Sequence, residues 1–157
     1  RDLHSFPTRR SSDLKTTGPE IWKDTNGEIT HFVSAMGTTG TIMGVSTYLK
    51  EQNSNISIVG AQPTQGSKIP GIRKWTKEYV PGIFDKKRVD KIIEVSEDEA
   101  IEMTQRLASE EGVFGGMSSG GAVHVALKLA ETIKSGTIVV VVCDRGDRYL
   151  SSSLFEK

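Results

Sequence analysis

Residues Ser34 to Gly44 read SAMGTTGTIMG, with glycines and threonines standing where an apolar segment ends and a helical pattern begins. Backbone amides at a helix start lack intrahelical partners. With the hydroxyls of Thr38, Thr39 and Thr41 beside them they make a cradle suited to a phosphate. A tight turn followed by a capped helix would use the same residues, and composition alone leaves both readings open. Spacing excludes two other phosphate loops. A Walker loop needs Gly-Lys-Ser/Thr after its second glycine, whereas Gly40 is followed by Thr41 and Ile42. A dinucleotide fingerprint needs GxGxxG, whereas Gly37, Gly40 and Gly44 give GxxGxxxG. No Cys/His cluster has metal spacing, and His31 and His124 suit a strand and a helix better than a ligand set. Cys143 reads as a small buried residue at a strand end rather than a nucleophile. Asp144, Arg145, Asp147 and Arg148 read as a salt-bridged turn.

These residues need elements to hold them. Thr17 before Gly18, Pro19 and Glu20 predicts a helix start capped by its hydroxyl. DTNGE at Asp24 to Glu28 predicts a turn, and Ile29 to Ala35 a strand. A helix is expected over Thr41 to Gln52, a strand over Ile56 to Ala61, a loop over Gln62 to Gly71, and another strand within Arg88 to Val95. Ser96 followed by Glu97, Asp98 and Glu99 is a capping box with acids at the positive end of a helix. That helix has an apolar face through Ile101, Met103, Thr104, Leu107 and Ala108, and Gly112 ends it. A last helix from about Gly120 to Ile133 would turn Val123, Ala126, Leu127, Ala130 and Ile133 inward. Thr137 to Cys143 is a β-branched run suited to a strand covered on both faces. Strands alternating with helices predict an α/β fold, a mostly parallel sheet flanked by helices. Ligands in such folds sit beyond the carboxyl ends of the strands, here after Ala35, Ala61 and Cys143.

Composition removes whole classes of function. With 157 residues, 20 basic and 20 acidic side chains, there is no electrostatic footprint for nucleic acid. One cysteine cannot form an internal disulfide, and the longest apolar run, Ile138 to Cys143, is too short for a membrane span. A soluble, cytoplasmic protein is expected. Arg1 to Leu14, RDLHSFPTRRSSDL, lacks any apolar period and reads as the in-frame translation of a short-read sequencing adapter. It is expected to be a disordered artefact. The domain proper then starts at Lys15, with 17 basic and 18 acidic residues after the tail is removed.

Four segments together carry a family resemblance: GTTGTIMG at Gly37 to Gly44, IPGIRKW at Ile69 to Trp75, GMSSGGAV at Gly116 to Val123, and CDRGDRYLS at Cys143 to Ser151. In this order, with TTGPEIW near the start and YVPGIF in the middle, the chain is similar to the B branch of the O-acetylserine sulfhydrylases. These are fold-type II pyridoxal phosphate enzymes, and the likeness runs from Lys15 to Phe155. It implies that residues 15–157 are part of the large, carboxyl-terminal domain. It implies that Gly37, Thr38, Thr39, Gly40 and Thr41 hold the phosphate of pyridoxal 5'-phosphate and that Ser118 meets its pyridine nitrogen, with Ser119 capping the following helix. Gly71, Arg73, Cys143 and Asp144 match substrate-binding positions, and an arginine at 73 suits an anionic sulfur donor such as thiosulfate. The implied reaction is conversion of O-acetylserine with sulfide or thiosulfate to cysteine or S-sulfocysteine, by β-elimination and addition through an aminoacrylate, in a homodimer. The family also carries a Ser-x-Lys-Asp-Arg segment, whose lysine tethers the cofactor, and a Ser-Gly-Asn-Thr-Gly loop for the substrate carboxylate. Neither occurs in this sequence, so the polypeptide as it stands is expected to be inactive. The alternatives are a non-catalytic phosphate-binding or partner-binding module and an enzyme like cystathionine β-synthase.

Overall fold

The structure, a computed structural model, describes residues 9–76 and 78–155. Two short helices, α1 (Arg9–Lys15) and α2 (Thr17–Asp24), lead into strand β1 (Ile29–Ala35) and helix α3 (Gly40–Gln52). Then come β2 (Ser57–Pro63), β3 (Lys91–Val95), α4 (Glu97–Glu110), α5 (Met117–Ala130) and β4 (Thr137–Val140). The four strands form one sheet in the order β3-β2-β1-β4, with every pairing parallel. The α/β expectation therefore holds.

Neighbouring residues on the two central strands show how the sheet is covered. Phe32 and Val33 point to opposite faces, and both are fully buried, as are Ile58 and Val59 on β2. Phe32 and Ile58 pack with Ile42, Val45 and Leu49 of α3, whereas Val33 and Val59 pack with Val125, Ala126 and Leu129 of α5. Each such side chain contributes about 1.5–3 kcal/mol by leaving water. The Asn-Gly turn before β1 forms as expected, with Asn26 at φ 50° and Gly27 at φ 73°.

Four expectations change. The Thr17 hydroxyl does not cap α2 but donates to Asp13 Oδ1 at 3.0 Å. Residues 9–14, expected to be disordered, lie in α1; helical bonds continue from Thr16 N to Ser12 O at 2.9 Å, and α1 packs along α3. The rest of that segment, 1–8, lies outside the described residues. Helix α5 begins three residues before the expected Gly120, and its inward stripe runs through Ala122, Val125, Ala126 and Leu129, while Leu127 and Ala130 are exposed. Strand β4 has only four residues and all are half-buried, because it is an edge strand bonded to β1 alone among the described strands.

Helices α4 and α5 pack closely against each other. Gly120 allows it: a Cβ there would lie 2.6 Å from Ala100 O. The expected capping box is present, with Ser96 Oγ accepting from Glu99 N at 3.2 Å and Glu99 Oε2 accepting from Ser96 N at 2.7 Å. Such caps contribute about 1 kcal/mol. Glu99 Oε1 faces Lys128 Nζ at 2.9 Å and His124 Nε2 at 3.3 Å on α5.

The Ser96 amide, chiefly, and then Lys128 hold the Glu99 carboxyl down at about 2 against an ordinary 4.5, with burial opposing them. A carboxyl depressed in the folded state stabilises fully above its unfolded value. Stability should thus fall as pH drops from 4.5 toward 2. Glu99→Gln keeps the capping geometry and should flatten this acid limb in thermal melts recorded across that range.

Candidate active site

Beyond the carboxyl end of β1 the chain turns through Met36 to Thr39 into α3, and this turn is one wall of a cavity of about 220 Å³. Ala35, Gly37, Thr38, Thr39, Gly40 and Thr41 line one side of it, and Gly71, Arg73 and Cys143 the other. The two sides meet backbone to backbone. Arg73 N donates to Met36 O at 2.9 Å, and Trp75 Nε1 donates to Gly37 O at 3.1 Å. A Cβ on Gly37 would stand 2.6 Å from the carbonyl oxygen of Gly71, so no larger residue fits without parting them. Gly71 itself has φ +90°, a conformation that side-chain-bearing residues rarely adopt.

Thr39 is the irregular residue of the turn. It takes a left-handed backbone (φ 66°), unusual for a β-branched side chain, and it is 2% exposed. Its hydroxyl has no hydrogen-bond partner among the described residues, and it does not cap α3. The first bond into the turn is Met43 N to Thr39 O at 3.0 Å, so the amides before Met43 at the α3 start have no intrahelical acceptor. A buried hydroxyl without a partner, beside unpaired amides at the positive end of a thirteen-residue helix, is what an anion would satisfy. The donor set fits a phosphate ester.

Ser118 lies in the first turn of α5 on the opposite side. It is buried, its Oγ is 3.2 Å from Cys143 Sγ, and it backs directly onto Gly71. Cys143 is exposed rather than buried, because β4 ends at Val140 and the chain leaves the sheet before reaching it. Ser119, expected to cap α5, sits inside its first turn, and Gly116 holds the cap position. The cap comes from far along the chain: Asp144 Oδ1 accepts from Gly116 N at 3.1 Å and from Ser119 Oγ at 2.8 Å. Asp144 Oδ2 accepts from Tyr149 Oη at 2.9 Å. Asp144 therefore stands behind Ser118 and Ser119 rather than in the cavity wall. Of the expected salt-bridged turn, the Arg145 to Asp147 pair forms, at 3.1 Å.

Arg73 is exposed, with its guanidinium 5.4 Å from the Trp75 ring centroid. It has no carboxylate partner among the described residues, whereas its neighbour Lys74 pairs with Glu94. Arg73 also borders a larger open depression of about 640 Å³ between Trp75, Tyr79 and the loop from Pro63 to Ser67. Tyr149, which bonds Asp144, is not among the sequence-predicted residues, and its only signal is its position five residues after Asp144. Among the described residues no group of His, Cys, Asp and Glu is placed to hold a metal, and no helix is long and apolar enough to cross a membrane.

A parallel sheet, a glycine and threonine turn with unpaired donors past β1, and a cavity between that turn and Gly71, with Ser118 buried behind Gly71, define an α/β domain whose donor set fits a phosphorylated small molecule. The model of the family described as pyridoxal-phosphate dependent enzyme matches residues 4–144. Cysteine synthase B of Pseudomonas aeruginosa is 58% identical over 141 residues, covering 90% of this chain and 47% of that protein. Cysteine synthase B of Salmonella typhimurium is 51% identical over 154 residues, covering 98% of this chain and 51% of that protein. The crystal structure of an O-acetyl serine sulfhydrylase isoform 3 from Entamoeba histolytica superposes with a TM-score of 0.87 at 33% identity, covering 97% of this chain and 48% of that one. The chain belongs to the pyridoxal-phosphate dependent enzyme family, and it spans about half the length of the curated relatives it matches.

Two substitutions separate strain from binding at Thr39. Thr39→Gly should remove about 1 kcal/mol of left-handed strain, partly offset by glycine entropy, and melt at the same or a slightly higher temperature. Thr39→Val keeps the strain. Both should weaken binding of pyridoxal phosphate about tenfold in calorimetric titration, the size of one hydrogen bond to a charged group.

Proposed function

We propose that the chain is the carboxyl-terminal part of a cytoplasmic, homodimeric cysteine synthase, with residues 1–14 foreign to it and residues 15–157 forming most of its cofactor-binding domain. The observation that carries this reading is the buried, partnerless Thr39 hydroxyl at the α3 start, facing a cavity closed by Gly71 and backed by Ser118. The amides from Gly37 to Thr41 and the hydroxyls of Thr38, Thr39 and Thr41 would hold the cofactor phosphate, and the α3 dipole would offset its charge. Ser118 would offer its hydroxyl to the pyridine nitrogen. A neutral hydroxyl, unlike a carboxylate, does not keep that nitrogen protonated, which suits elimination of a good leaving group.

Bound pyridoxal phosphate supplies the electron sink for loss of the substrate α-proton. This chain's residues do the rest of the holding. Gly71, without a side chain, lets backbone come close to the amino-acid substrate, O-acetylserine. Cys143 and Arg73 line the same cavity and would meet the incoming sulfur nucleophile, sulfide or thiosulfate. Arg73 stands between the cavity and the larger depression, so an anionic donor crossing from one to the other passes a guanidinium that no carboxylate among the described residues occupies. The tethering lysine and the loop for the substrate carboxylate would come from sequence preceding Lys15.

Sequencing the source locus across the Leu14/Lys15 junction tests this assignment: an open frame running upstream through Ser-x-Lys-Asp-Arg and Ser-Gly-Asn-Thr-Gly codons is expected. A start codon or a stop close to Lys15 would overturn it. In the full-length gene product, Arg73→Ala should lower kcat/KM for thiosulfate about tenfold or more while changing that for sulfide much less, since sulfide offers no oxygens to a guanidinium. Equal losses with both donors would remove Arg73 from donor recognition.

A further inference from the structure

The first turn of α5 carries Ser118, yet no side chain of its own caps that turn. What holds it comes from beyond β4. Asp144 Oδ1 takes the Gly116 amide at 3.1 Å and the Ser119 hydroxyl at 2.8 Å, and the same Ser119 oxygen accepts from Cys143 N at 3.1 Å. These bonds close a small ring between the helix start and the 143–144 segment. A carboxylate on a half-buried loop can turn about its own side-chain torsions, and one further bond stops it, from Tyr149 Oη to Oδ2 at 2.9 Å. Tyr149 sits in a single 3-10 turn, Gly146–Tyr149, which docks on the same helix start through Gly146 N to Phe114 O at 2.9 Å. The joint leaves no spare room. A Cβ on Gly116 would collide with both Asp144 Oδ2 and the Tyr149 ring.

We propose that Tyr149 is a positioning residue for the cofactor site: by locking the Asp144 carboxylate it fixes the α5 start and so the direction in which Ser118 presents its hydroxyl. The role of Ser118 in this statement rests on the pyridoxal phosphate reading given above. Asp144 acts through Gly116 and Ser119 and does not itself reach the cavity. The phenol is kept in its protonated, donating form, because burial first and the neighbouring carboxylate second push its ionisation up to about 12.

The test uses the full-length gene product and its Tyr149→Phe variant, which loses one oxygen and keeps the ring. Amide hydrogen exchange, measured without cofactor, should speed up about tenfold over the first turn of α5 and stay unchanged over the first turn of α3. The absorption maximum of bound pyridoxal phosphate should shift, with the affinity for its phosphate retained. Asp144→Asn, which preserves an acceptor for Gly116 and Ser119, should restore most of the exchange protection that Asp144→Ala removes. If Tyr149→Phe leaves both exchange and absorption unchanged while the unsubstituted protein binds pyridoxal phosphate, the positioning role is overturned alone. If the unsubstituted protein takes up no pyridoxal phosphate, the cofactor reading fails and this role falls with it.

Discussion

The cavity exists because two stretches of backbone, about 35 residues apart in sequence, touch without side chains between them. Gly37 faces the carbonyl of Gly71, and the Arg73 amide and Trp75 indole bond to the carbonyls on either side of that contact. Any Cβ at position 37 would push the segment from Ile69 to Trp75 outward, and with it Arg73 and the backbone face of Gly71. Ile69 and Ile72, both buried, anchor that segment in the core under α5. The site is therefore held at its back by apolar packing and at its front by two hydrogen bonds and a missing methyl group.

Against this fixed wall, the α3 start is strained rather than relaxed. A threonine in the left-handed region costs on the order of 1 kcal/mol, and burying its hydroxyl without a partner adds a further penalty. Ile42, Val45 and Leu49 of α3 are fully buried further along the helix. A partnerless buried hydroxyl in a left-handed turn is what an anion at this helix start would relieve. The residues of that turn face Gly71, Arg73 and Cys143 across the cavity.

How much of this could be read in the sequence depended on how local each cause was. Strand β1 was legible to the residue, because an Asn-Gly turn precedes it and a glycine run follows. The Ser96 and Glu99 capping box was legible because both partners lie within one turn. The start of α5 is not legible because its cap is Asp144, 28 residues away from Gly116, and the exposure of Leu127 and Ala130 is set by which face of α5 docks on the sheet, where Val125, Ala126 and Leu129 meet Val33 and Val59. Strand β4 was read too long and too buried, since a β-branched run looks the same at the edge of a sheet as at its centre. In the site, the threonine cradle is contiguous and its chemistry could be read from residue types. Gly71, Arg73 and Ser118 were joined to it by family resemblance, because no periodicity connects three segments that only the fold brings together.

The two walls of the cavity differ in how they are fixed, and the difference follows from the sheet. The cradle side grows out of β1, a central strand with both faces buried, so its position is set by dense apolar contacts that tolerate little movement. The Cys143 side grows out of β4, a half-buried edge strand whose ladder to β1 ends before Cys143. Apolar packing is too sparse there to fix a side chain, and Val142 next to it is 45% exposed. Directional polar bonds hold that side instead, from Cys143 N to Ser119 Oγ, and from Ser119 Oγ, Gly116 N and Tyr149 Oη to the Asp144 carboxylate. In a partly buried setting such bonds have a low tolerance for misalignment, so a chain of four of them can hold one wall of a site where the hydrophobic core no longer reaches.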